Sequence, residues 1–123
     1  MTTVDNALEK ARADAQILHQ NIEAATAKNE AALRAGLETS AAKAKALASE
    51  LSAMRELQIE DVKRHAKTAV AHLESAAQEA KAIGSVTETQ LQQRRRAMLA
   101  DVRAALTNIG EAVAAHRSAL RKV

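Results

Sequence analysis

Apolar residues recur along most of this chain at alternating steps of three and four. The cleanest run is Ile59, Val62, Ala66, Ala69, Leu73, Ala76, Ala80 and Ile83. That spacing is the a/d seam of a helix that lies against other helices. A similar seam opens the chain at Val4, Leu8, Ala11, Ala15, Leu18, Ile22 and Ala25. Between the two the rhythm loosens into four-four steps, first through Asn29, Leu33 and Leu37, then through Leu51, Arg55 and Ile59. From Val4 to Ile83, 22 steps cover 79 residues, or 3.59 per turn. This is the period of a straight α-helix and not the 3.5 of a left-handed supercoil.

A third seam carries Leu99, Val102, Leu106, Ile109, Val113, His116, Leu120 and Val123. Leu91, Met98, Ala105, Ala112 and Ala119 form a further apolar column beside it, which widens the face to that of a bundle helix. The stripe loses phase at Gly84, where Ser85-Val86-Thr87-Glu88 and Thr87-Glu88-Thr89-Gln90 read as overlapping capping boxes. Gly36 is the other candidate break, although the apolar stripe passes through it in phase.

The fold expected is therefore all-α, a single domain over residues 1–123. Its first form is a three-helix up-down-up bundle with helices near 3–35, 38–83 and 86–122. Its alternative leaves residues 3–83 as one helix, about 120 Å long, with helix 86–122 folded back as an antiparallel hairpin that dimerises.

Composition changes this picture in one respect. Pro, Cys and aromatic residues are absent, 31 of the 123 residues are Ala, and only 27 are Leu, Ile, Val or Met. Ala seams bring helices close but bury little area, at roughly 25 cal/mol per Å². Self-association is then the expected source of extra stability, with a second copy as partner. Without Cys there is no disulfide, no thiolate nucleophile and no Cys-ligated metal. The first residues lack a basic-then-apolar leader, and no run approaches the ~20 apolar residues of a membrane span. No transmembrane segment and a cytoplasmic location are the expectations.

Charge is uneven. Residues 1–60 hold 7 Lys/Arg against 9 Asp/Glu, while residues 61–123 hold 11 against 6, so the halves carry −2 and +5. Complementary helices explain this, as does a basic face for an anionic membrane or storage-granule surface.

Catalytic and metal chemistry find no constellation. His65 and His72 lie about 10.5 Å apart along a helix, too far for one ion, and His65 is placed for a local pair with Asp61. Helix-borne di-iron and zinc motifs, Gly-rich phosphate loops and nucleophile elbows are missing. No enzyme activity, cofactor or metal is expected.

Arg94-Arg95-Arg96 stands out, yet successive helical residues fan over roughly 200° and cannot form one phosphate-binding face. Interhelical salt bridges are the preferred reading of the triplet. The interaction residues expected are Ile59, Val62, Leu73 and Ile83 on one seam, Leu99, Leu106 and Ile109 on the other, and the column Arg96, Arg103 and Arg117. The function expected is a non-enzymatic, self-associating helical bundle or coiled coil. A reversible amphipathic coat on an anionic membrane or granule is the alternative. Nucleic-acid binding through the basic last helix comes third, disfavoured because no aromatic residue offers a stacking platform.

Overall fold

The computed structural model describes residues 3–24, 30–54, 59–80 and 87–121. Among the described residues the chain forms four helices: α1, Thr3–Ala24; α2, Glu30–Ser52; α3, Glu60–Gln78; and α4, Glu88–Arg121. Lys10 of α1 pairs with Glu50 of α2, near the opposite end of that helix. His65 and Glu79, near the two ends of α3, meet Glu111 and Arg94 of α4. Asp5 and Ile22 of α1 meet Arg117 and Arg95 of α4. Each helix thus runs antiparallel to the next, and α4 closes the ring against α1. This is an up-down-up-down helical bundle.

The three-helix arrangement and the single helix over 3–83 are both corrected by these boundaries. Gly36 does not end a helix; it lies half-buried in the middle of α2. Leu33 and Leu37 flank it, and both are fully buried. Burying two Leu side chains contributes roughly 1.5–3 kcal/mol each, which outweighs the ~1 kcal/mol that Gly costs in a helix interior. The described helices are instead bounded at Ala24 and Glu30 and at Ser52 and Glu60. After α2, the Met54 N–H bonds the Leu51 carbonyl at 3.3 Å, tightening the last turn. Ile59 then enters α3 in an extended conformation, with Glu60 and Asp61 favourably placed in the first turn.

α4 starts as its sequence predicts. The Thr87 N–H donates to Gln90 Oε1 at 3.0 Å, and the Gln90 N–H donates to Thr87 Oγ1 at 3.2 Å. This is a reciprocal capping box. The seam of α3 is also as expected, with Val62, Ala66, Ala69, Leu73 and Ala76 buried. On α4 the buried face is rotated. Leu91, Met98, Ala105 and Ala112 are fully buried, while Leu99 and Leu106 are half-buried at the edge. The core divides into a large cluster and a smaller one around Leu8, Val62, Ala66, Ala112 and Val113 at the end holding Asp5 and Arg117. Among the described residues 24 apolar side chains are buried, of which ten are Ala.

Candidate functional site

The seam residues expected to mediate interaction belong to the bundle's own core. Val62, Leu73 and Ile109 are buried, and Ile59, Leu99 and Leu106 are half-buried against them. Ile83 lies outside the described residues. In the folded chain these side chains are covered by neighbouring helices and offer little to a partner.

The arginines have a different distribution. α1 and α3 each end without a basic residue in the last turn, so the negative ends of their dipoles are uncompensated from within. α4 supplies the charge. Arg95 donates from Nε to the Ile22 carbonyl at 3.1 Å and from a terminal nitrogen to the Glu23 carbonyl at 2.8 Å. Arg94 donates to the Glu79 carbonyl, just past the end of α3, at 2.7 Å. Two members of the triplet therefore cap two helix C-termini with charge-assisted bonds, where interhelical ion pairs were expected. Residues 94–96 lie beyond the first turn of α4, where its own dipole no longer penalises cations.

Arg117 closes the opposite end. Its Nε reaches Asp5 Oδ1 at 3.3 Å, and a terminal nitrogen reaches Glu9 Oε1 at 2.8 Å. Asp5 is only 3% exposed, and His116 lies beside it with Nδ1 3.8 Å from Oδ1, too long for a hydrogen bond.

Each histidine stands beside a carboxylate. His19 pairs with Glu23 within α1 at 2.8 Å. His65 and His72 reach across to α4, to Glu111 at 3.0 Å and Asp101 at 3.6 Å. The local Asp61/His65 pair does not form, because Asp61 takes Arg64 at 3.1 Å while His65 faces α4. These pairs join helices and do not converge. Among the described residues no group of three or more His, Cys, Asp or Glu side chains is arranged to hold a metal.

The expected arginine column is thereby reduced. Arg96 and Arg103 remain exposed, with no ion pair to a described residue, and Arg117 is committed to Asp5 and Glu9. Arg121 falls on the same line as Arg96 and Arg103. The outer stripe of α4 thus reads Arg96, Ala100, Arg103, Thr107, Ala114 and Arg121 over about 38 Å, without an acid. Its edge toward α3 carries Glu111, tied to His65.

No protein-family model, curated protein or solved structure matches this chain.

Sequence reasoning missed a surface on α2. Ala35, Ala42 and Ala46 are exposed on its outer side, while Leu33, Leu37, Leu47 and Leu51 are buried on the inner one. The signal was present: α2 has little polar contrast between its faces, unlike α3. No described helix is long and apolar enough to cross a membrane.

Proposed function

We propose that this chain is a non-enzymatic structural and interaction protein, an Ala-rich helical bundle that self-associates. The observation that supports this reading is the circumference of α2. Its inner side is packed with Leu, and its outer side carries an exposed row of small side chains, Ala35, Thr39, Ala42 and Ala46, between charged flanks. A row of small side chains lets a second helix approach closely. A core in which ten of 24 buried apolar side chains are Ala leaves stability to be gained from further burial. Light scattering and sedimentation over a hundredfold range of micromolar concentrations test it. The mass rises above the 13.1 kDa of one chain if the reading holds, and stays there if it fails.

A second reading draws on the acid-free stripe of α4. Arg96, Arg103 and Arg121 face outward in one line between small side chains, a pattern that suits an anionic membrane or granule surface. Co-flotation with vesicles containing anionic lipid, lost at high salt and in R96Q/R103Q, supports it. Equal flotation with neutral vesicles counts against it.

A further inference from the structure

We infer that a second copy of this chain docks on the outer side of α2, antiparallel to it, about a two-fold axis near Ala46. This rests on the self-association proposed above and names its surface.

The groove between α1 and α2 is open. α1 packs less extensively on α2 than on α4. At the lip of the groove Ile17 is 53% exposed, the one large hydrophobic side chain so exposed among the described residues. Beside it lies a space of about 280 Å³ floored by Leu18 and Leu47. A knob next to a hole on the same surface suits an isologous contact, in which each copy's knob enters the other's hole.

Charge selects the orientation. Lys43 and Glu50 both line this groove. They lie seven residues apart and so on one flank of α2, on either side of Ala46. Turning a second copy about Ala46 sets Lys43 against Glu50 of that copy, and Glu50 against its Lys43, giving two equivalent ion pairs. A parallel copy would place the two Lys43/Glu50 flanks on opposite sides of the seam, so that neither ion pair could form. Lys43 has no ion pair with a described residue within its own chain, while Glu50, which meets Lys10 at 3.7 Å, would share its carboxylate between the two ammonium groups.

Size permits the approach. The face between the flanks consists of Ala35, Thr39, Ala42, Ala46 and Ser49, all exposed. Their four-three spacing is that of a helix–helix seam. With no long side chain to hold them apart, the two α2 helices can meet near the lower end of the usual ~8–10 Å separation. A lipid surface is a poorer occupant, because this face carries no aromatic or bulky interfacial side chain.

The absence of cysteine makes the test clean. Ala46→Cys should form a disulfide-linked dimer rapidly under mild oxidation, while Ala100→Cys, on the outer stripe of α4, should not. By light scattering, K43E and E50K should each weaken self-association about tenfold or more. The double variant K43E/E50K should recover it, because the reversed pair is again complementary; circular dichroism confirms that each variant folds. If the chain associates but K43E and E50K leave it unchanged, and Ala46→Cys links no faster than Ala100→Cys, the α2 surface is wrong and self-association stands. A monomer at every concentration overturns both.

Discussion

Arg117 Nε lies 3.3 Å from Asp5 Oδ1, a bond between residues 112 positions apart in the chain. It holds the start of α1 against the end of α4 and satisfies a carboxylate that is 3% exposed. Removing the guanidinium leaves that carboxylate buried with fewer partners, at a cost of about 1–2 kcal/mol, the lower range for an unsatisfied buried acceptor. Arg117→Ala should therefore lower the urea midpoint without changing the slope. Asp5→Asn, which keeps the shape and loses the charge, should cost less.

Arg95 and Arg96 are adjacent in sequence and opposite in consequence. Arg95→Ala removes two charge-assisted bonds to the Ile22 and Glu23 carbonyls and should cost about 1–2 kcal/mol. Hydrogen exchange should quicken specifically in the last turn of α1. Arg96→Ala should change stability by less than about 0.5 kcal/mol, as surface substitutions do. Equal losses at both positions would contradict the capping role.

Gly110 lies in the interior of α4, and a Cβ built there meets nothing within 4 Å. Gly110→Ala should stabilise the bundle by about 0.5–1 kcal/mol through backbone entropy and helix propensity alone. Thermal unfolding read by circular dichroism would register the gain.

Lys10 titrates above its usual 10.5, first because its ammonium donates to Asp14 and then through the charges of Asp14 and Glu50. The folded-state value is raised, so these contacts stabilise the fold at pH values below the unfolded one. That contribution is lost as the pH climbs through the folded value. An NMR titration of the lysine side chains should show Lys10 deprotonating later than other exposed lysines, and Asp14→Asn should bring it back toward them.

Much of the bundle is legible in the sequence. The buried face of α3 follows its three-four spacing, and the Thr87/Gln90 box marks the start of α4. The reversals from α1 to α2 and from α2 to α3 were harder to read, because periodicity reports which residues share a face and is blind to a reversal of direction. Polar residues at seam positions were the available sign, and they read equally well as register-fixing substitutions. The arginines show the same limit. Their column is visible as a repeat of seven, but Arg117 is claimed by carboxylates at the far end of the chain. Arg94 and Arg95 answer helix ends whose positions depend on the topology. The exposed alanines of α2 are indistinguishable by type from the buried ones, so only the fold separates the two faces.

The ring of four helices also implies an order of assembly. Arg94 and Glu79, which tie α4 to α3, are 15 residues apart, whereas Arg117 and Asp5 are 112 apart. The entropy of bringing ends together grows as 1.5 RT ln n, so the second closure costs about 1.8 kcal/mol more than the first. The α3–α4 hairpin, which is also the most extensively packed pair, is the natural nucleus, and the α1–α4 face is the last to shut. A chain that swings α1 outward keeps its nucleus intact and bares Leu8, Leu18 and Ile22 in one line.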